Sequence, residues 1–464
     1  MIKIFDHYFH KRTLLQMLMD FLLVLGVIVF AIAMQAKDWA VAADSFWRGT
    51  FSASLLFAFG TLAINGSLGF YQRMYSRSVG QSGARALLSL LLLVPLAYLI
   101  FNTSHFKLDD GKLFLAFMLL GVSLILQHRV HVLHTMAIDG SRQRVLIFGT
   151  GVRAKAVANS LKKSDANVEL VGFYAVPTDT VVEGSEASLA DGGKSLIEVV
   201  REKRVDEIIV ALSERRGGIM PLRDLLDCKL TGVRVLDIAT HYERTLGQIR
   251  LDSLSAGWLV FGDGFDQGLV RAFNKRVFDI VCSLILILLT LPVMLIAAVL
   301  IALESSGPVL YSQERVGLSG RIFKVVKFRS MRTDAEKDGK PRWASANDDR
   351  ITRVGRFIRK TRIDELPQLF GVLGGRMSLV GPRPERQFFV DQLTKDIPFY
   401  AVRHSVKPGV TGWAQVKYQY GASMEDAAEK LQYDLYYVKN HTLFLDLIVL
   451  FETVGVVVMR KGAQ

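Results

Sequence analysis

The sequence predicts a membrane protein of three parts. Residues 1–135 read as a bundle of four transmembrane helices, 141–255 as a small Rossmann-like α/β domain, and 270–464 as an α/β monotopic domain whose helix 277–303 re-enters the membrane. Three observations carry this reading: long apolar runs, a glycine turn between a strand and a helix, and a proline in the middle of the last apolar run. Half of the 464 residues are hydrophobic, and they are gathered into runs, which points to a bilayer rather than a larger soluble core.

Four runs, at about 14–34, 50–70, 86–103 and 113–130, approach the length a membrane helix requires. The first lacks a small-residue cleavage site and is followed by further runs, so it reads as a span rather than a cleaved leader. Lys3, Lys11 and Arg12 precede the first run, Arg73, Arg77 and Arg85 separate the second from the third, and Arg129, Arg142 and Arg144 follow the fourth. The other two loops mix signs, with Lys37, Asp38, Asp44 and Arg48 in one and Lys107, Asp109, Asp110 and Lys112 in the other. Positive charge favours the cytoplasmic side, which puts the N-terminus and everything after residue 130 there. Asp20, inside the first run, is expected to face the bundle or the interface, because a carboxylate facing lipid is costly.

The run VFDIVCSLILILLTLPVMLIAAVLIAL at 277–303 has cations on both flanks: Arg271, Lys275 and Arg276 before it, then Arg315, Arg321, Lys324, Lys327 and Arg329. A straight crossing would leave one cluster on the wrong side. Pro292 removes an amide donor and bends a helix, so a helix that enters, kinks at Pro292 and returns satisfies both flanks. The alternative is a plain transmembrane helix that tolerates its proline.

The middle stretch Arg144-Val-Leu-Ile-Phe-Gly149-Thr-Gly151-Val-Arg-Ala154 reads as a buried strand, a glycine turn and a helix. Strands are expected at 169–174, 207–211 and 233–236, with helices at 195–203 and 219–229. No acidic residue clearly ends a second strand at ribose-binding distance, and no Tyr-x-x-x-Lys pair follows. The domain is therefore expected to be a degenerate nucleotide-binding-like fold used for regulation or assembly, with a bound nucleotide as the sharper alternative.

Cys228 and Cys282 lie in different parts, which fits a reducing compartment and no disulfide. The formal net charge of +13 is concentrated beside apolar runs and in a Gly/Pro-rich block without a nucleic-acid module, so membrane lipids and phosphorylated substrates are expected rather than nucleic acid. That block holds Arg350-Ile-Thr-Arg-Val-Gly-Arg-Phe-Ile-Arg359-Lys-Thr-Arg-Ile-Asp364-Glu365-Leu-Pro-Gln368, then Met377-Ser-Leu-Val-Gly-Pro-Arg383-Pro, then Lys407-Pro-Gly-Val-Thr-Gly-Trp-Ala-Gln415. Upstream, Lys324-Val-Val-Lys327-Phe-Arg329-Ser-Met331 alternates like an edge strand. Asp364 could simply cap a helix, and the cations could simply meet headgroups. Their conjunction beside a re-entrant helix favours a phosphate-rich substrate, held by guanidinium forks and a divalent metal, with the carboxylate pair supplying a ligand and a nucleophile.

These motifs together resemble the bacterial sugar transferase family, the monotopic phosphoglycosyl transferases. The whole chain looks like their large form, the polyprenyl-phosphate hexose-1-phosphate transferases that initiate exopolysaccharide assembly. The resemblance implies that Asp364 attacks the sugar-proximal phosphorus of a UDP-sugar, glucose or galactose leading, and releases UMP. Undecaprenyl phosphate would then take the phosphosugar from the aspartate. It further implies Glu365 as the Mg²⁺ ligand and Arg359 and Arg383 as phosphate ligands, with Lys327 and Arg329 helping. Nearby cations are expected to keep Asp364 ionised. The enzyme would be a multi-pass protein of the bacterial inner membrane with its catalytic domain on the cytoplasmic face, and a homo-oligomer is compatible with this. Two departures stand out: Leu291 replaces the family's usual serine before the kink proline, so the break would rest more on Pro292 alone, and Ile363 replaces the usual leucine. A membrane-anchored nucleotide-sugar dehydratase or epimerase would need the missing Tyr-x-x-x-Lys pair. A non-catalytic assembly scaffold would leave the carboxylates as a cap.

Overall fold

The computed structural model describes residues 2–4, 7–9, 11–35, 46–71, 79–102, 119–121, 123, 143–164, 168–175, 194–212, 221–254, 264–265, 268–332, 350–418 and 423–458. It forms two compact units, one built on 10–64 and 71–246 and the other on 2–9, 65–70 and 247–464. The chain begins with a short antiparallel hairpin, β1 (Ile2–Ile4) and β2 (His7–Phe9), which belongs to the second unit.

In the first unit, helices α1 (Lys11–Gln35), α2 (Phe51–Ser67) and α3 (Val79–Asn102) share a core of Ile28, Ile32, Phe57, Leu93, Ala97 and neighbours. Small buried residues such as Ala53, Ser54, Ala58 and Ser89 line it, as close helix approach in an apolar setting requires. Asp20 turns inward as expected: it is buried and accepts a 2.6 Å hydrogen bond from the Tyr71 hydroxyl. Among the described residues, Thr13–Ala33 and Leu269–Glu304 are long and apolar enough to cross a membrane, while Phe51–Ser67 and Arg85–Phe101 are shorter apolar helices. The fourth apolar run, 113–130, lies outside the described residues except for 119–121 and 123, which are helical.

The rest of the first unit is a parallel sheet. Its elements run β3 (Gln143–Phe148), α4 (Val152–Ser164), β4 (Val168–Tyr174), α5 (Leu196–Glu202), β5 (Glu207–Val210), α6 (Leu222–Leu230), β6 (Arg234–Asp237) and α7 (Ile238–Leu246). Strand order is β4-β3-β5-β6, all parallel, and each expected strand lies within a residue or so of its place. Along β3, Val145 and Ile147 pack under α4 and α7, while Leu146 and Phe148 pack under α5 and α6. Strand period two thus buries both faces, the signature of a doubly covered parallel sheet. Gly149 follows at φ +119°, a conformation that favours glycine.

The second unit is organised by α8 (Leu269–Glu304), an unbroken 36-residue helix with Pro292 inside it. Its first half packs Phe278, Cys282, Leu286 and Ile287 against the main core of Leu369, Val372, Leu379, Tyr437 and Val449. Its second half packs Met294, Ala297 and Ile301 against Phe328 and Ile358. Between and beside these contacts Leu288, Leu289, Leu295 and Ile296 are exposed. An antiparallel ribbon follows, β7 (Leu310–Val316) with β8 (Ile322–Phe328), and then α9 (Arg353–Lys360), α10 (Gln368–Leu373), β9 (Ser378–Val380) and α11 (Gln387–Asp396). Strand β10 (Gly409–Thr411) pairs parallel with β9, and α12 (Trp413–Lys417), α13 (Met424–Asn440) and α14 (Leu443–Val458) complete the unit.

Candidate active site

Helix α9 begins where Thr352 Oγ1 accepts the Gly355 amide at 2.9 Å, and it carries Arg359 in its last turn. A Cβ at Gly355 would come within 2.0 Å of the Ser330 carbonyl, so glycine is what allows this helix to lie on the end of the ribbon. The chain then reverses through Arg362, a non-glycine residue at φ +59°, into a 3₁₀ turn, Ile363–Glu365. Strain of this kind gathers at functional sites. Ile363 and Leu366 plug into the Met294–Phe328–Ile358 cluster, and between them Asp364 and Glu365 are buried, each 8% exposed.

Glu365 is clamped. Its Oε1 accepts from Lys327 Nζ on β8 at 2.8 Å and from Arg383 Nη2 at 3.1 Å, and Arg362 Nη1 stands 3.9 Å from Oε2. Burial alone would raise this carboxyl, but Lys327, Arg383 and Arg362 together hold it well below the usual carboxylate range. Burial pushes the Lys327 ammonium down, with Glu365 opposing.

Asp364 has a different environment. Burial, then the charge of Glu365, push its carboxyl up to about 6 against the pull of Lys327, Arg359 and Arg362. Desolvation outweighs the pull of the cations, which pair with its neighbour, yet a carboxyl at about 6 is still mostly carboxylate at neutral pH. Asp364 Oδ1 is buried without a hydrogen-bond partner, as is Arg359 Nη1. Buried polar atoms seldom go unsatisfied; the guanidinium nitrogen suits an anionic ligand, and the carboxylate oxygen suits a cation, a hydrogen-bond donor or an electrophile. The capping alternative fails as well, since α10 takes Pro367 as its N-cap with no side-chain cap bond.

Three of the four cations singled out in the sequence gather at this pair; the fourth does not. Arg329 is buried and donates to the carbonyls of Ile301, Ser305 and Ser306 and to the Ser305 hydroxyl. It satisfies the C-terminal carbonyls that every helix leaves open, here those of α8, so its guanidinium is committed there and does not reach the carboxylates. Pro292 lies within α8, and Thr290 Oγ1 donates to the Leu286 carbonyl at 2.7 Å. A hydroxyl therefore stands two residues before the proline and is bonded to the preceding turn, although Leu291 takes the place of the family's usual serine.

Sequence reasoning missed the groups that hold Arg383 in place. Arg403 Nε and Nη2 donate to Asp434 Oδ2 at 3.0 and 2.7 Å, and Nη2 also donates to the Arg383 carbonyl at 2.9 Å. Deeper in the unit, Lys275 Nζ sits 2.8 Å from Asp446 and donates to the Val380 carbonyl, while Asp279 Oδ1 accepts from Ser378 Oγ and the Leu379 amide. These partners lie far apart in sequence, and no local pattern links them. The two glycine-rich motifs are one device: a Cβ at Gly409 would meet the Gly381 nitrogen at 2.1 Å, so β9 and β10 touch backbone to backbone.

For Mg²⁺, the chain offers oxygens suited to a hard cation. Asp364 Oδ1 is unpartnered, and Glu365 Oε2 is the oxygen not taken up by Lys327 and Arg383. No cluster of three acidic, histidine or cysteine residues occurs among the described residues, so substrate phosphates and water would have to complete the shell. That is how Mg²⁺ is usually held beside phosphates.

A family model described as bacterial sugar transferase matches residues 270–460, the segment that contains every group just described, and one described as a CoA-binding domain matches 66–221. The UDP-glucose:undecaprenyl-phosphate glucose-1-phosphate transferase of Xanthomonas campestris pv. campestris is 32% identical over 357 residues, covering 74% of this chain and 72% of that protein. The chain belongs to the bacterial sugar transferase family. Within that family, the UDP-N-acetylgalactosamine-undecaprenyl-phosphate N-acetylgalactosaminephosphotransferase of Aeromonas hydrophila is 45% identical over 242 residues, 52% of this chain and 56% of that protein. A Bacillus subtilis relative, a putative undecaprenyl-phosphate N-acetylgalactosaminyl 1-phosphate transferase, is 53% identical over 129 residues, 28% of this chain and 72% of that protein. The chain thus spans little more than half of one of these sugar transferases and nearly three quarters of two others.

Proposed function

We propose that this protein transfers a hexose-1-phosphate from a UDP-sugar to undecaprenyl phosphate, releasing UMP and giving undecaprenyl diphosphate-sugar, as the first step of an exopolysaccharide repeat unit. The observation that carries the proposal is a buried aspartate with a free oxygen beside a glutamate clamped by cations. Asp364 in its carboxylate form attacks the sugar-bearing phosphorus. The bond to the UMP oxygen breaks, and UMP leaves with the electron pair. An oxygen of the lipid phosphate then attacks the phosphosugar-aspartate, which frees Asp364 and forms the new diphosphate. Arg359, through its unpartnered Nη1, and Arg383 orient the donor's phosphates, while Lys327 and Glu365 fix one another and keep Arg383 aimed. Mg²⁺, when bound, neutralises diphosphate charge, and Glu365 Oε2 is the oxygen that would hold it.

The donor's sugar is open to direct assay. Glucose and galactose follow from the resemblance, and two relatives are named for N-acetylgalactosamine. UMP release from UDP-glucose, UDP-galactose and UDP-N-acetylgalactosamine by detergent-solubilised protein supplied with undecaprenyl phosphate tests the reading, with Asp364→Asn as control. No UMP from any donor would defeat it.

The same proposal takes 1–135 as a four-helix membrane domain, 141–255 as a Rossmann-like cytoplasmic domain, 270–464 as the catalytic domain and α8 as re-entrant at an inner membrane. Support comes from the two ends of α8, both tied to one unit. Arg276 donates to the Val372 and Leu373 carbonyls near its start, and Glu304 accepts the Val354 amide at its end. The roughly 28 residues of straight helix between these ties would span about 42 Å, more than the hydrocarbon core of a bilayer, so a crossing would separate two ends that are tied to one unit. Single cysteines at Leu269 and Ser319, in a chain lacking Cys228 and Cys282, should both resist an impermeant thiol reagent in intact cells and react after lysis. Labelling of position 319 from outside would mean that the helix spans.

A further inference from the structure

The proposed reaction leaves one part of the third motif unused: Trp413, buried at the start of α12. Two stretches far from it in sequence converge on this indole. Its Nε1 donates to the Gly247 carbonyl at 2.7 Å, and Gly247, at φ +63°, has no room for a side chain, since a Cβ there would come within 2.9 Å of the ring. Next to it, Gln248 Nε2 donates to Gln432 Oε1 at 3.2 Å and the Ile249 amide to the Gln432 carbonyl at 2.9 Å, which lays this stretch along α13. From the start of the chain comes His7, on β2. Its ring meets Trp413 edge-on with centroids 5.5 Å apart, and its Nδ1 lies 2.7 Å from the hydroxyl of Tyr436, which stacks on Trp413. Burial, then the charge of Lys417, push the His7 imidazole down to about 3, so the ring is neutral where it sits. A hairpin with three pairs is at best marginal alone in water, so β1 and β2 depend on this seat.

Trp413 follows directly on the glycine contact between β9 and β10. The Gly381 amide donates to the Thr411 carbonyl at 2.9 Å and the Gly409 amide to the Pro382 carbonyl at 3.0 Å, and a Cβ on Gly412 would collide with the Gly381 carbonyl. Two residues after Gly381 comes Arg383, whose guanidinium reaches Glu365. With no side chain between the two backbones, a shift of the indole is passed to the Arg383 loop rather than absorbed. We propose that residues 2–9 and 247–249, both outside the segment matched by the sugar transferase model, clamp Trp413 and so set where Arg383 points, with His7, Tyr436 and Trp413 as positioning residues. The inference rests on the transferase reading for what Arg383 holds, the donor's phosphates. It makes the first residues of the chain part of donor binding.

Two variants loosen the clamp without touching the carboxylate cluster. Tyr436→Phe keeps the ring stack and removes the hydroxyl, and His7→Ala removes the imidazole. In the full-length protein each should raise the KM for the UDP-sugar about tenfold and leave that for undecaprenyl phosphate within about twofold. Together they should do no more than His7→Ala alone, because both break one contact. In a chain lacking residues 2–9, a peptide of those eight residues should restore the donor KM, and the same peptide with His7→Ala should not. Unchanged donor KM in both point variants, an equal rise in both KM values, or equal rescue by the two peptides would overturn the proposal. Hydrogen exchange reads the same clamp without turnover, and it also decides should the shortened chain misfold. His7→Ala should speed exchange of the amides in 378–383 and 409–412 about tenfold while the β7–β8 ribbon stays within about twofold. Unchanged exchange at 378–383, or equal acceleration through the whole unit, would overturn the inference. Absence of UMP release by wild type would instead count against the transferase reading, and exchange would still report whether the clamp holds the Arg383 loop.

Discussion

The sheet domain at 143–246 buries few charged groups, Glu207 and Glu243 among them, whereas the unit built on 247–464 gathers many. In the sheet, apolar side chains cover both faces, and pairs such as Arg144–Glu169 and Lys194–Glu202 sit in solvent, where water and salt screen them and they add little to stability. The other unit buries Asp279, Asp364, Glu365, Arg403, Asp434 and Asp446. Removing an ion from water costs several kcal/mol unless its partners are well placed. Most of these have partners; Asp364 Oδ1 does not. A glycine turn shows only that a backbone must bend closely, whereas an unmatched buried carboxylate shows where a ligand is needed.

The sharpest test of this contrast is Asp364→Asn. Loss of the nucleophile should reduce UMP release on the order of a thousandfold or more. The melting temperature in detergent should hold or rise, because a buried charge beside Glu365 has been removed. Residual turnover near wild type would end the covalent mechanism.

Glu365→Gln should be nearly as damaging for a different reason. Lys327 and Arg383 would lose their common anion, which costs about 3–5 kcal/mol when one member of a buried ionic cluster is removed. Activity should fall with stability, as seen in parallel melting and UMP assays. Wild-type activity in excess chelator would rule out Glu365 as a metal ligand.

The Asp364 carboxyl, raised to about 6, gives a milder signature. Its attacking form is the carboxylate, so kcat/KM for donor should be full above that value and fall about tenfold per pH unit below it. A profile flat down to pH 4.5 would show that Asp364 ionises as an ordinary aspartate. Any residual activity in Glu365→Gln should show this limb moved to lower pH, since a like charge has been removed.

Much of the fold was legible because it rests on local periodicity. The strands of the parallel sheet and the long apolar helices announce themselves within windows of a few residues, whereas the Asp364–Glu365 pair and Arg383 stood out through motifs that resemble a known family. Three things were not legible. The protonation of Asp364 depends on which carboxylate the cations reach, and that is decided by β8 and the loop after β9 meeting Glu365. Arg329 reads as a phosphate ligand until the end of α8 arrives to claim it. The Arg403–Asp434 pair spans thirty-one positions, with nothing between them to signal the contact.

The gentlest prediction concerns the glycine turn itself. Gly149 sits at φ +119°, and its amide donates to the Tyr174 carbonyl at 2.9 Å, so the turn is woven into the sheet. Alanine there is strained by about 1–3 kcal/mol. Gly149→Ala should therefore weaken the sheet domain against limited proteolysis between 143 and 246. UMP release by solubilised protein should remain within twofold of wild type, because every group assigned to the chemistry lies in the other unit. If turnover instead collapsed while the sheet resisted protease as before, the turn would be serving a bound nucleotide that the reaction needs. The division between a domain that supplies shape and one that supplies chemistry would then fail. If turnover fell only as far as the sheet unfolded, the sheet would matter to activity through its folding alone, as expected of a domain used for assembly.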